Sequence, residues 1–356
     1  MKNQKRIRDY GIQIGSIETG EKNAITDVLG VKVGHVTLNE GNIKTGVTAV
    51  LPHGENLFKE KVFAASHVIN GFGKTIGTIQ IEELGNIETP IILTNTLSVG
   101  ASCDALVKYM LDENEDIGTT TGTVNPVVCE CNDGYLNDIR GGHIKKEHVF
   151  SAIENADIEF EEGSVGAGTG MSCYKLKGGI GTASRKIQLG EDTYTVGTLV
   201  LTNMGHKKDL MIDRIPAGRI IEALDEKKDL EEDKGSIIML IGTDIPMSHR
   251  QLKRISKRAI VGLSRTGSHI GNGSGEIVIS FTTANRMSHY KKEEVMNIKM
   301  IHENNMDLAF RAVAECIEES ILNSLITAKY TIGRDNNHRR SLNEYMDMIL
   351  KEVQEK

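Results

Sequence analysis

The chain contains no tryptophan, and aromatic residues make up only 4% of its 356 positions. It therefore offers no platform of stacked rings for bases or sugars, which weighs against a nucleic-acid or carbohydrate binder. Positive charge is also in short supply: 42 Lys and Arg stand against 49 Asp and Glu, a net charge of −7. A phosphate backbone calls for the opposite balance, so no nucleic-acid partner is expected. With five prolines, no Ser/Gly/Pro-rich connector and no repeat of fixed period, nothing marks a domain boundary. Residues 1–356 read as a single domain, although the length alone would allow two.

Five cysteines, widely spaced apart from Cys129 and Cys131, do not make a disulfide framework. Cys129-x-Cys131 has neither a second cysteine pair nor a histidine at ligand spacing, so it reads as alternate positions of a strand, and no metal or cofactor is expected. No apolar run approaches the roughly 18 residues of a membrane span, and the N-terminus lacks the apolar core of a signal peptide. A cytoplasmic protein with no membrane partner is expected. Histidine, the usual general base, falls in no catalytic cluster. His67 sits among small residues and reads as a packed core imidazole, so a Ser-His-Asp triad is not expected.

What the chain does have is short β-favouring runs separated by turn residues. Residues 46–51, 90–94, 194–202, 236–243 and 276–283 read as core strands. Helical periodicity is clearest over 306–328, where Phe310, Val313, Ile317 and Ile321 recur every three to four residues, acids take the other face, and Asn304 or Asn305 can cap. A second helix follows Asn95 and includes Ala101, Ala105, Leu106 and Met110, and a third covers 215–224. The basic run 249–258 reads as an amphipathic helix capped near Ser248, with Leu252, Ile255 and Ala259 inward. Strands interleaved with a few long helices imply sheets covered by helical layers, an α/β or α+β layered sandwich. Residues 336–356 read as a surface helix or tail without an assigned role.

Gly235-Ser236 is where a highly charged run, 225–234, meets an apolar one, Ile237-Ile238-Met239-Leu240-Ile241. The first should be a solvated, accessible loop and the second a strand buried on both faces. One reading is an ordinary loop entering a core strand. The other is a cleavage point that leaves Ser236 as a new N-terminus, carrying a weak nucleophile and its own amine as base. The absence of a histidine partner favours the second.

Gly271-Asn272-Gly273-Ser274-Gly275-Glu276 repeats the pattern of a small polar loop entering an apolar strand. Ser274 and Glu276 fall on one strand face, where a carboxylate can orient a hydroxyl beside a nucleophile; the alternative is a turn with an edge glutamate. Asn203, at the end of a strong strand, is either an oxyanion donor or a turn cap. After the short run Val127-Val128, Glu130 can neutralise a substrate ammonium and Tyr135 can donate a phenolic hydrogen bond, while Asp133-Gly134 can equally be a plain turn. The glycines of 163–181 fit neither a Walker loop nor a dinucleotide fingerprint and read as a hairpin with tight backbone packing.

Taken in order, many segments resemble the L-aminopeptidase D-esterase/amidase (DmpA-like) family of β-peptidyl and D-amino-acid aminopeptidases. They include Asn23-Ala24-Ile25-Thr26-Asp27-Val28, Val31-x-Val33-Gly34-His35, Thr45-Gly46-Val47-Thr48-Ala49-Val50-Leu51-Pro52, Asn70-Gly71 and Thr94-Asn95-Thr96-x-Ser98-Val99-Gly100. Further on come Glu130-x-Asn132-Asp133-Gly134-x-Leu136-Asn137-Asp138, Gly178-Gly179-Ile180-Gly181-Thr182-Ala183-Ser184-Arg185, Gly235-Ser236-Ile237-Ile238 and Asn272-Gly273-Ser274-Gly275-Glu276-Ile277. The resemblance implies a four-layer α-β-β-α sandwich of the DmpA/ornithine acetyltransferase type. It further implies self-cleavage between Gly235 and Ser236 into chains 1–235 and 236–356, and a homotetramer or larger assembly. Ser236 would be the nucleophile, Ser274 and Glu276 its assistants, Asn203 and Tyr135 the oxyanion site, and Glu130 the anchor of the substrate amine. The implied activity is release of N-terminal amino acids from small peptides, amino-acid amides or esters. An acyltransferase or oligoamide hydrolase on the same scaffold, and an unprocessed non-catalytic binding protein, are the alternatives.

Overall fold

The computed structural model describes residues 4–225 and 235–354. The charged run read as an exposed loop lies outside the described residues except for Asp225, which accepts from Lys207 Nζ (3.0 Å) and the Tyr345 hydroxyl (2.8 Å). The strands are β1 (Lys32–Glu40), β2 (Ile43–Leu51), β3 (Glu60–Gly71), β4 (Asn86–Ile87), β5 (Ile91–Asn95), β6 (Val127–Cys131), β7 (Ser172–Cys173), β8 (Leu176–Lys177), β9 (Ile180–Leu189), β10 (Asp192–Asn203), β11 (Ser236–Thr243), β12 (Gly275–Ser288), β13 (Thr331–Ile332) and β14 (His338–Arg339). The α-helices are α1 (Thr78–Leu84), α2 (Val99–Glu113), α3 (Lys146–Glu154), α4 (Ala217–Asp225), α5 (His249–Ser256), α6 (Ala259–Arg265), α7 (Met306–Ile326) and α8 (Met346–Gln354).

Two sheets form the centre: a four-stranded one in the order β1-β2-β5-β6 and a six-stranded one in the order β4-β3-β12-β11-β10-β9. Strand alternation distributes their side chains between three cores. On β11, Ile238 and Leu240 meet Val50, Leu93 and Cys129 of the facing sheet, whereas Ile237, Met239 and Ile241 pack with Val313, Ile317 and Ile321 of α7. Both faces are therefore buried, which is why this strand is an unbroken apolar run. Each such side chain contributes roughly 1.5–3 kcal/mol. On the far side of the four-stranded sheet, Val47, Ala49, Ile92 and Val128 pack under Leu106, Met110, Val149 and Ile153 of α2 and α3. The result is the expected α-β-β-α order of layers. Among the described residues, no helix is long and apolar enough to cross a membrane.

The helix over 249–258 is present as α5, with the Ser248 hydroxyl accepting from Gln251 N and Leu252 and Ile255 buried. The hairpin reading of the glycine-rich segment also holds: β7 and β8 pair around Tyr174 and Lys175, both at positive φ (50° and 57°). Four details differ. Asn305 stands at the α7 N-cap without a side-chain cap bond, because a preceding 3-10 turn is capped by His302 instead. Three of the four acids of α7 are not in water: Glu318 is buried, and Glu315 and Glu319 are buried against Arg185 (3.0 and 2.7 Å), with Arg8 also pairing with Glu319. A helix read as one-sided is thus covered all round from Ala312 to Ile326, while its first turns keep an exposed side. His67 is only partly buried, since β3 ends in an exposed stretch where Val68 is 50% accessible. Finally, 336–354 is no loose tail, for Leu342, Tyr345, Met346 and Ile349 enter the main core.

Candidate active site

Ser236 begins β11 between two neighbours. It stands opposite Asn203 in the antiparallel pairing with β10 and beside Gly275 in the parallel pairing with β12. The Gly275 N–H donates to the Gly235 carbonyl (3.3 Å), so the Gly235–Ser236 peptide is fastened to the β12 side. Gly235 is required here by space: a Cβ would come within 2.3 Å of the Asn203 carbonyl oxygen and 2.4 Å of Met204 Cα. The fold thus presses the residue before Ser236 against the strand that carries Asn203.

Ser274 and Glu276 are both fully buried, and the Ser274 hydroxyl donates to Glu276 Oε1. The turn that delivers them is clamped by Asn70, whose Nδ2 donates to the carbonyls of Gly271 (3.1 Å) and Ser274. Glu276 is registered with Ile237 and lies on the strand face of Val278. Ser236 lies on the opposite face, that of Ile238 and Leu240. Alternation therefore separates the pair from the Ser236 hydroxyl and sets it by the backbone of the Gly235–Ser236 junction.

Asn203 Oδ1 accepts the Ser172 N–H (2.9 Å). That bond identifies the oxygen end of the amide and leaves the NH2 end as the donor. Ser172 Oγ accepts from Arg339 Nε (3.1 Å), and the Arg339 guanidinium lies 3.5 Å from the centre of the Tyr135 ring. Tyr135 is further held through its carbonyl by Asn337 Nδ2 (2.9 Å), and the preceding Gly134 carbonyl by Arg334 Nε (2.6 Å). Tyr135 and Asn203 are therefore joined through Arg339 and Ser172.

Across the interface between the sheets, the Cys131 thiol donates to the Leu201 carbonyl (3.4 Å), and the Ser236 hydroxyl lies near enough to favour its thiolate. Burial, reinforced by the neighbouring Glu130 carboxylate, pushes this thiol well above its ordinary range, with the Ser236 contact opposing. A thiol held protonated is a poor nucleophile. Glu130, one residue back and so on the other face of β6, is buried; its Oε1 accepts the Lys74 N–H (2.9 Å) and its Oε2 the Thr96 hydroxyl. A Cβ on Gly73 would lie 3.6 Å from Ile277 Cγ1 and 3.8 Å from Glu130 Oε1, which places Glu130 toward the β12 side of the junction.

The sequence reading thus assembled Ser236, Asn203, Ser274 and Glu276 at one strand junction, with Glu130 and Tyr135 at its flanks. It missed Ser172, Arg339 and the contact role of Cys131. Ser172 lay in a segment read as packing glycines, Arg339 in a segment set aside, and Cys131 in a strand whose alternation was recognised but whose facing partner was not. Among the described residues, no three His, Cys, Asp or Glu side chains come together as a candidate metal set.

The layered fold is that of an Ntn-type serine aminopeptidase. It superposes on the L-aminopeptidase D-Ala-esterase/amidase of Ochrobactrum anthropi, a prototype serine aminopeptidase and a variant of the Ntn hydrolase fold, with a TM-score of 0.91 at 34% identity, covering 98% of this chain and 99% of that one. The chain belongs to peptidase family S58, whose model matches residues 23–339. The β-peptidyl aminopeptidase BapA of Sphingosinicella microcystinivorans is 37% identical over 350 residues, 92% of this chain and 87% of the relative. The PH0078 protein of Pyrococcus horikoshii OT3 is similar at 52% identity and a TM-score of 0.93, covering 98% and 99% of the two chains.

Proposed function

We propose that this aminopeptidase is made as a precursor, cuts itself between Gly235 and Ser236 within one domain, and then uses Ser236 to release N-terminal residues from small peptides, amino-acid amides or esters. The observation that carries this reading is the position of Ser236 at a strand head, with Asn203 registered opposite and the buried Ser274–Glu276 pair beside its backbone. Cleavage releases the Ser236 nitrogen from the Gly235 carbonyl, and the resulting α-amine is free to turn toward that pair. The pair orients the amine, and the amine takes the proton of the Ser236 hydroxyl as Oγ attacks the substrate carbonyl. The Asn203 NH2, with the Tyr135 hydroxyl as a second donor, stabilises the oxyanion. The leaving amine collects the proton, and water then releases the acyl group from the ester on Ser236. Glu130 neutralises the ammonium of the substrate.

In the precursor the Ser236 nitrogen is an amide and cannot act as base. The crowding of Gly235 against Asn203 and the neighbouring Ser274 hydroxyl assist the first cut. Denaturing mass analysis of the purified protein should give two chains, 1–235 and 236–356, the second beginning Ser-Ile-Ile-Met. Ser236→Ala should remain full length and inactive toward amino-acid p-nitroanilides. Processing and turnover by that variant would overturn the reading.

A further inference from the structure

Lys177 is fully buried at the end of β8, where a charged side chain is uncommon. Its Nζ donates to three carbonyl oxygens, those of Gly168 (2.9 Å), Met171 (3.0 Å) and Gly178 (2.7 Å). Three acceptors match the three donors of an ammonium; a neutral amine has two and would turn its lone pair toward the third oxygen. Burial works against the charge and lowers the pKa to about 7, with the Asp133 carboxylate the leading group that opposes it. The acyl-transfer steps above give this cation no part.

Of the three acceptors, the Met171 carbonyl matters most, because it belongs to the same peptide unit as the Ser172 N–H. That N–H donates to Asn203 Oδ1 (2.9 Å). The order is therefore Lys177 ammonium, Met171–Ser172 peptide, Asn203 amide, and each amide receives a donor at its oxygen and donates from its nitrogen. The Met171 carbonyl also accepts the Gly178 N–H (3.1 Å), which fixes the peptide a second time. Drawing electrons toward the oxygen of an amide makes its N–H a stronger donor, and bonds in such a chain polarise one another where water is excluded. Asp133, the counter-charge, is fully buried as well and opens the turn of Tyr135: its carbonyl accepts from the N–H groups of Leu136 (3.1 Å) and Asn137 (2.9 Å), and its carboxylate from Asn137 Nδ2 (3.0 Å).

We propose that Lys177 is a positioning residue for acyl transfer: its buried ammonium, acting through the Met171–Ser172 peptide, holds and polarises the Asn203 amide as donor to the oxyanion. The proposal rests on the reading of Asn203 as that donor and of Ser236 as the nucleophile. No proton leaves Lys177 and no bond is made to it. Its charge acts where negative charge develops, so it lowers the barrier to turnover and leaves substrate binding alone.

The test is a double-mutant cycle. Lys177→Gln keeps an N–H donor without the charge and Lys177→Met removes both; each is made alone and together with Asn203→Ala, and a denaturant midpoint confirms folding. Both Lys177 variants should still cut themselves, because the Gly235 carbonyl is held by the Gly275 N–H rather than by Asn203. On amino-acid p-nitroanilides each should lose about tenfold in kcat at unchanged KM. With Asn203→Ala in place, the same change should cost less than about twofold, since the chain of bonds has lost its end. If Lys177→Met does not fold, Lys177→Gln decides. Wild-type kcat in a folded Lys177 variant, a loss carried by KM, or an equal loss in both backgrounds refutes the role of Lys177 and leaves the Ser236 chemistry standing. A folded Lys177 variant that stays whole beside a processed wild type refutes it too. Full kcat in Asn203→Ala alone removes the oxyanion reading and this proposal with it, and a wild type that neither cuts itself nor turns over substrate removes the Ser236 reading as well.

Discussion

Asn203 and Ser236 face each other at the open end of the β10–β11 pairing, the last registered position of both strands. Backbone register therefore sets an amide donor opposite a serine without any loop having to position either. Rigid strands hold such geometry better than loops do.

Asn203→Asp should keep the fold, because a carboxylate oxygen still accepts the Ser172 N–H. It should nonetheless lose kcat by about 10²–10³-fold, since a donor is replaced by a negative charge where an oxyanion develops. Steady-state kinetics checks this, with a thermal midpoint to confirm folding. A KM effect with kcat intact would assign Asn203 to substrate binding.

Gly235→Ala should slow self-cleavage. The added methyl meets the Asn203 carbonyl at 2.3 Å and the Met204 backbone at 2.4 Å, so the scissile peptide must move away from the residues proposed to act on it. A time course of precursor and product bands after synthesis is the measurement. Wild-type processing kinetics in this variant would show that the close packing at Gly235 does not matter.

Arg185→Met should destabilise the protein by about 3–5 kcal/mol, the usual cost of leaving a buried charge without its partner. Glu315 and Glu319 would both lose the guanidinium that lies 3.0 and 2.7 Å away. Burial alone would raise the Glu319 pKa, but contacts with Arg8 and Arg185 outweigh it and hold the carboxyl below its ordinary value. Denaturant unfolding should show a lower midpoint, with the urea slope unchanged.

Acid should destabilise the native state through His35. Burial lowers its pKa from 6.5 to about 4, against an opposing hydrogen bond to the Glu161 carbonyl. That bond uses Nε2 as donor (3.1 Å), so Nδ1 accepts from the Thr48 hydroxyl (2.9 Å), which also receives the Ala167 N–H (3.1 Å). A second ring proton, on Nδ1, would require the Thr48 hydroxyl to turn from donor to acceptor. Between pH 6.5 and 4 the unfolded chain binds a proton at this position that the folded chain does not, so stability falls as pH falls through that window. The difference in unfolding free energy between wild type and His35→Gln should shrink as pH is lowered from 7 to 4. A constant difference would remove His35 from the pH response.

Much of the site was legible because it is local. Ser274-x-Glu276 share a strand face by a period of two, and Asn203 and Ser236 each mark the end of an apolar strand. Which face they turn to was not legible: that the Ser274–Glu276 pair lies across the strand plane from the Ser236 hydroxyl follows from how β11 and β12 are sandwiched between α7 and the opposite sheet. The acids of α7 misled for the same reason. Their periodicity describes a helix with a polar side, but whether that side meets water or Arg185 depends on a strand far away in the chain.

The sequence by itself determined the strands, the main helices, and the junction of a charged run with an apolar one at Ser236, because hydrophobic period and turn chemistry act over a few neighbouring residues. Only the tertiary structure decided that Arg339 of the C-terminal segment reaches Ser172 and Tyr135 and that Cys131 of the facing sheet lies near Ser236. Those contacts join residues far apart along the chain, and their positions are set by the packing of whole layers.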